Sequence, residues 1–218
     1  LYIYLKKRRP YVMLRKFFVA EDYISRRLSI MNTLAYDTKI NYDAVIDIAE
    51  EENDIVYESK QRLAINTALS KGFMVLTGGP GTGKTTTLNA IISLLEQQGD
   101  RVLICAPTGR AAKRISDLTG YEAKTIHRLL GVKGGVGDYI AFEHDESNPL
   151  DCEAVIIDEM SMVDTLLFES LLRALNINCK LIMVGDSDQL PSVGAGNVLH
   201  DIIMSGTVPV IALTEIFR

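Results

Sequence analysis

Ten consecutive residues, Gly78 to Thr87 (GGPGTGKTTT), restrict what this chain can fold into more than any others. The spacing Gly78-x-x-x-x-Gly83-Lys84-Thr85 is the phosphate-binding P-loop pattern. An apolar run, Phe73-Met74-Val75-Leu76, leads into it as a buried strand would. Leu88, Ile91, Ile92 and Leu95 follow at helical spacing, with Gly99 as a C-terminal stop. Glycines let the backbone curl until several N–H groups face one anion at a helix N-terminus. Gly78, Gly79, Pro80, Gly81, Thr82, Gly83, Lys84, Thr85 and Thr86 therefore form a candidate nucleotide cradle. In it Lys84 would reach the β- and γ-phosphates, and the Thr85 hydroxyl would ligate Mg²⁺. A Gly-rich turn could carry similar letters, but here strand, loop and helix fall in register.

From about residue 57 the pattern alternates β and α. A helix is predicted over 59–71, with Ala64, Ile65, Ala68 and Leu69 facing inward. Continuous apolar runs predict strands at 73–77, 102–106, 154–158, 181–185 and 209–213, as expected where helices cover both faces. Helices fill the gaps at about 84–98, 109–118, 163–175 and 195–204. With the P-loop, the order implies an α/β, P-loop NTPase fold: a doubly wound parallel sheet with ligand at the C-terminal ends of its strands. Residues 131–152 interrupt the alternation, and Tyr139-Ile140-Ala141-Phe142 between turn signals reads as a small hairpin insertion or a mobile loop.

Residues 1–56 read as a small, mainly helical N-terminal appendage. Val12, Leu14, Phe17 and Phe18 form an apolar stretch, and Ala20, Ile24, Leu28 and Met31 then recur at helical spacing. A second helix is predicted around Val45, Ile46 and Ala49, and the acidic run 50–54 serves as a linker to the β/α part, 57–218. Residues 1–27 hold eight cations and two acids, a net of +6; with −5 overall, the remainder carries −11. A local basic path can bind nucleic acid in an acidic protein, but a solvated surface explains the same charges.

At 218 residues the chain is long enough for one α/β domain with an appendage, and 47% hydrophobic residues exclude a disordered chain. No apolar run reaches the roughly 18 residues of a membrane span. Cys105, Cys152 and Cys179 form no C-x-x-C pair, so neither a zinc site nor a disulfide framework is indicated, and a reducing cytoplasm fits. Leu1 at the start and Arg218 at the end suggest a segment of a longer protein.

Two further strands end in chemistry. Ala154-Val155-Ile156-Ile157 runs into Asp158-Glu159, 74 residues after Lys84. Opposite a P-loop, Asp158 would hold Mg²⁺ through water and Glu159 would orient and deprotonate an attacking water. Surface acids at a strand end would look the same in isolation. Leu181-Ile182-Met183-Val184-Gly185 runs into Asp186-Ser187-Asp188-Gln189, whose polar tip would lie beside a γ-phosphate that Gln189 could sense.

Taken in order, QRLAINTAL at 61–69, TGGPGTGKTTT at 77–87, APTGRAAKR at 106–114, TIHRLL at 125–130, DEMSMVD at 158–164, GDSDQLPSVGAG at 185–196 and LTEIFR at 213–218 resemble the first motor domain of RecD-like DNA helicases. These are superfamily 1 enzymes of the 5′→3′ branch, akin to the exodeoxyribonuclease V α-subunit, and the resemblance implies a RecA-like lobe. The segment RPYVMLRKFFVAEDYISRRL at 9–28 resembles the first segment of the long-N-terminus members. The resemblance implies that Gln61 reads the adenine edge, favouring ATP, and that Asp158 and Glu159 are the Mg²⁺ and water-activating pair. It implies that Gln189 couples the γ-phosphate to DNA grip and that Arg218 touches that phosphate. It places Pro107, Thr108, Gly109 and Arg110 in a loop on the DNA backbone, and His127 and Arg128 in a second contact to single-stranded DNA. Thr108 can donate to a phosphate, Arg110 can pair with one, and His127 could stack on a base or simply pack. Residues 131–152 stand where relatives carry a strand-separating pin. The resemblance also implies a second motor lobe, absent from this chain, and partner subunits of a recombination nuclease complex. Another P-loop ATPase would lack Gln61 and GDSDQLP, and a non-catalytic DNA-binding subunit would show damage at Lys84, Thr85, Asp158 or Glu159; none of this is seen.

Overall fold

The computed structural model of the chain describes residues 1–6, 9–34, 40–136, 139–186, 189 and 191–216. Ser187, Asp188, Leu190 and the expected γ-phosphate contact Arg218 lie outside the described residues.

The elements run β1 (Tyr2–Lys6), β2 (Arg9–Met13), α1 (Arg15–Thr33), α2 (Tyr42–Asn53), α3 (Ser59–Ser70), β3 (Phe73–Gly78), α4 (Lys84–Gln97), β4 (Val102–Ala106), α5 (Gly109–Thr119), β5 (Ala123–Thr125), α6 (Ile126–Leu130), β6 (Val132–Val136), β7 (Tyr139–Phe142), β8 (Ala154–Ile157), α7 (Thr165–Arg173), β9 (Lys180–Gly185), α8 (Val198–Ser205) and β10 (Val210–Leu213). Six strands form one sheet in the order β10-β3-β9-β8-β4-β5, every pairing parallel. The expected doubly wound parallel sheet is observed, and the short edge strand β5 is an addition that three residues of sequence could not announce.

Alternation along the strands sorts the core into two halves. Phe73 and Val75, Val155 and Ile157, and Leu181 and Met183 face one cluster, closed by α1, α6, α7 and α8. Met74 and Leu76, Ala154 and Ile156, and Ile182 and Val184 face the other, closed by α2, α3 and α4. The central strands β3, β8 and β9 are buried along nearly their whole length, which explains their unbroken apolar sequences.

The N-terminal residues contribute to both halves. Ile24, Leu28 and Met31 of α1 belong to the first cluster, and Tyr42, Ile46 and Ala49 of α2 to the second. Arg27 donates to the carbonyls of Leu175 (2.6 Å) and Asn176 (2.8 Å), fixing α1 to the turn after α7. Arg62 of α3 pairs with Asp47 and Glu50 of α2, both at 2.6 Å. Tyr2–Lys6 and Arg9–Met13, where the pattern predicts only an apolar approach to a helix, pair antiparallel as β1 and β2. Val12 and Leu14 are exposed there, and Tyr2 stacks on Phe18 at 3.7 Å. Residues 131–152 do contain a hairpin, β6–β7, with a register shift between Val132 and Gly134.

Helix ends differ from the expectation where a cap intervenes. The helix expected over 163–175 begins at Thr165, because Asp164 adopts extended backbone and accepts from the Leu167 N–H. The helix expected from 195 begins at Val198, because the segment before it packs on α7, with Thr165 N–H donating to the Ala195 carbonyl.

Met31 is fully buried against the sheet. Met31→Ala should therefore destabilise the chain by about 2–5 kcal/mol. Urea unfolding followed by circular dichroism checks this, and a loss under 1 kcal/mol would show that α1 is not an integral core element.

Candidate active site

The parallel register brings the loops after β3, β4, β8 and β9 to one edge of the sheet. β3 delivers the P-loop. Gly83, the residue before α4, has φ 83°, a left-handed conformation that favours glycine. Gly78 is confined differently: a Cβ there would come within 2.8 Å of the Leu213 carbonyl oxygen on β10. The loop is also tied from within. Thr82 Oγ1 donates to the Gly79 carbonyl (2.9 Å) and Thr87 Oγ1 to the Gly83 carbonyl (2.9 Å). Thr85 is half-buried, while Pro80 and Thr86 are exposed. The Lys84 ammonium donates to the carbonyls of Gly78 and Gly79.

Burial holds the Lys84 ammonium below its ordinary pKa, and the carboxylates of Asp186, Asp158 and Glu159 act against that shift. Three acids from two different strand ends thus act on one half-buried cation. Asp158 follows β8, its N–H donating to the Cys105 carbonyl at 2.9 Å. Burial pushes its carboxyl up, while the Glu159 N–H, Arg114 and Lys84 oppose the rise. Glu159 has φ 53°, one of two non-glycine residues with left-handed backbone among the described residues. Such strain clusters at functional sites. Glu159 Oε1 lies 3.4 Å from Arg114 Nη1 on α5.

The donor set suits a nucleotide with Mg²⁺. Among the described residues no group of three His, Cys, Asp or Glu side chains could hold a metal alone. Mg²⁺ prefers one or two protein oxygens completed by water and phosphate, which Thr85 and Asp158 could supply.

The remaining expected residues fall around this edge. Gln61 is buried; its Oε1 accepts from the Glu58 N–H (3.0 Å) in a capping box, and its Nε2 donates to the Gly83 carbonyl (3.4 Å). Gln189 is exposed, its N–H donating to the Asp186 carbonyl at 3.2 Å. Pro107 is half-buried; Gly109 and Arg110 are exposed, and Thr108 caps α5 by accepting from the Ala111 N–H (3.2 Å). Its hydroxyl proton remains available to a ligand. His127 and Arg128 lie on α6, which follows β5 at this same edge with Thr125 opposite Ala106, and the His127 ring is 5.9 Å from that of Phe142. Two charged residues of the site, Asp186 and Arg114, were not singled out from the sequence. Both sit inside quoted motifs, GDSDQLP and APTGRAAKR, so the signal was present.

A family described as "AAA domain" matches residues 61–195. The chain belongs to that family. The ATP-dependent RecD2 DNA helicase of Deinococcus radiodurans is 45% identical over 145 residues, covering 66% of this chain and 19% of the relative. The RecBCD enzyme subunit RecD of Haemophilus influenzae is 33% identical over 214 residues, covering 86% of this chain and 32% of the relative. The crystal structure of Pif1 helicase from Candida albicans aligns with a TM-score of 0.55 at 27% identity, over 75% of this chain and 41% of that one. The expected kinship with RecD-type helicases is thus borne out. The chain spans under a third of the length of these two curated relatives.

The raised Asp158 carboxyl has a measurable consequence. An acid whose folded-state pKa lies above its unfolded value binds its proton more tightly when folded, so stability falls as pH rises through that interval. Asp158→Asn removes the penalty. It should stabilise the metal-free chain at pH 7 by on the order of 1 kcal/mol, about 2–4 °C in melting temperature. The advantage should vanish below about pH 4, where both states are protonated. Melting curves at the two pH values test this; equal gains at both would contradict it.

Proposed function

We propose that this chain is the first motor lobe of an ATP-dependent DNA helicase of RecD type, acting on single-stranded DNA in recombination and repair. The observation that carries the proposal is the placement of the P-loop with Lys84, of Asp158 and Glu159, and of Asp186 at the C-terminal ends of the adjacent parallel strands β3, β8 and β9.

Each residue has a role that its setting supports. The Gly78–Thr86 backbone cradles the phosphates, and Lys84 exchanges its loop carbonyls for β- and γ-phosphate oxygens. Thr85 and Asp158 would hold Mg²⁺, which would neutralise charge on the phosphates. Glu159 takes the proton of the attacking water. Gln61 presents its remaining amide capacity to the adenine edge, and Gln189 and Arg218 report on the γ-phosphate. Thr108 and Arg110 hold the DNA backbone beside the ATP site, and His127 and Arg128 make the second contact. The hairpin β6–β7 occupies the place of a strand-separating pin. Residues 1–56 and 57–218 act as an appendage and a motor lobe that share one core.

Among the described residues no helix is long and apolar enough to cross a membrane, and all three cysteines are free and buried. These features support a cytoplasmic protein. The names of the RecD relatives support assembly with further subunits of a recombination nuclease.

A motor of this type works by opening and closing a cleft between two lobes, with charge stabilisation supplied across it; an arginine finger is typically worth about 10³–10⁵ in rate. The 218-residue chain alone should bind a fluorescent ATP analogue, hydrolyse ATP slowly and not unwind DNA. Lys84→Ala should abolish nucleotide binding, whereas Glu159→Gln should keep binding and lose turnover. A coupled ATPase assay with and without single-stranded DNA is the check, and strong DNA-stimulated turnover by this chain would refute the one-lobe reading.

A further inference from the structure

β4 and β8 are neighbours in the sheet, with Cys105 opposite Ile157. The loop after β4 therefore opens beside the Asp158-Glu159 pair. Helix α5 grows directly from that loop, so its first turn, Thr108 to Arg110, lies close to the acidic pair. Ala111, Ala112 and Ile115 bury one face of α5, and Arg110 and Arg114 share the exposed face one turn apart. Arg114 reaches Glu159 at 3.4 Å, although its own side chain is 69% exposed against 19% for Glu159. Its charge is also felt at Lys84 and at Asp158.

We infer that Arg114 is a positioning residue shared between Glu159 and the nucleic-acid backbone: a phosphate seated on Arg110 and Thr108 draws the guanidinium off the glutamate. Three properties favour the exchange. The pair is long at 3.4 Å and its Arg114 partner is exposed to water, which makes it weak and easily given up. Guanidinium geometry matches phosphate oxygens in a bidentate fork. Arg110 and Arg114 repel each other along the helix until an anion joins them. Releasing the pair frees the Glu159 carboxylate, held on strained backbone, to turn toward the water it would activate. DNA occupancy and hydrolysis are then coupled through a single turn of α5.

The inference rests on the DNA-motor reading, and its test separates the two. If phosphate and Glu159 compete for Arg114, linkage requires that removing the glutamate's charge strengthen DNA binding only while Arg114 is present. Binding of a short fluorescent oligothymidylate to the 218-residue chain, followed by anisotropy at low salt, reads this directly. Glu159→Gln should tighten binding about fivefold, the lower end of common site-to-site couplings. Arg114→Ala should weaken binding and lower the salt slope by about one. The double variant should bind as Arg114→Ala does, and Arg114→Lys should restore part of the glutamine effect. A fivefold tightening that persists in the Arg114→Ala background would be general electrostatics and would overturn the inference alone. An unchanged affinity in Glu159→Gln would overturn it as well. Failure of the unsubstituted chain to bind the oligonucleotide would remove the DNA reading itself.

Discussion

The parallel register of β3, β9, β8 and β4 is the constraint on which everything else depends. Parallel strands end together, so four loops distant in sequence open on one edge. That edge must hold charge that the core cannot. Lys84 and Asp158 are both partly withdrawn from water, and burial penalises the charged form of each. Each opposes the other's shift, yet the attraction does not cancel the cost. A site left with its ammonium below and its carboxyl above their usual ranges is poised for a ligand that brings both anionic oxygens and a divalent cation.

That edge also carries backbone strain. Gly83 is left-handed by design of its residue type, but Glu159 is left-handed without a glycine's freedom. Such a conformation costs on the order of 1–3 kcal/mol and persists only when the surroundings over-determine it. The surroundings here are the two apolar halves of the core. α1 closes one and α2 the other, so residues outside the β/α alternation hold the sheet from both sides. The N-terminal helices thus help hold the sheet whose edge bears that cost.

How much of this was legible follows from the range of each interaction. The P-loop, the β8 acids and the alternating layers are local in sequence, so spacing alone reveals them. Strand ends came within a residue or two, because apolar runs stop where burial stops. The β1–β2 pairing escapes the pattern because its described apolar positions do not alternate in burial: Tyr2, Ile3, Tyr11 and Val12 are all exposed. β5 was missed because its three residues are only half-buried at the sheet edge. Arg114 and Asp186 lay in full view within their motifs, but their importance is a matter of adjacency. Only the β4–β8 pairing puts α5 beside Glu159, and only the β3–β9 pairing puts Asp186 beside Lys84.

Gln61 illustrates the same point from the opposite direction. The resemblance singles it out for the adenine edge, whereas the structure first shows it at work inside the protein. Its carbonyl closes the capping box of α3, and its amide reaches the last P-loop glycine. A primary amide has two donors and two acceptor sites, so half its capacity stays open. What the internal bonds remove is rotational freedom, and a pre-oriented amide loses less entropy on meeting a base. The next residue, Arg62, grips Asp47 and Glu50 on α2. One helical turn therefore joins the N-terminal appendage, the end of α3 and the loop that would hold phosphate.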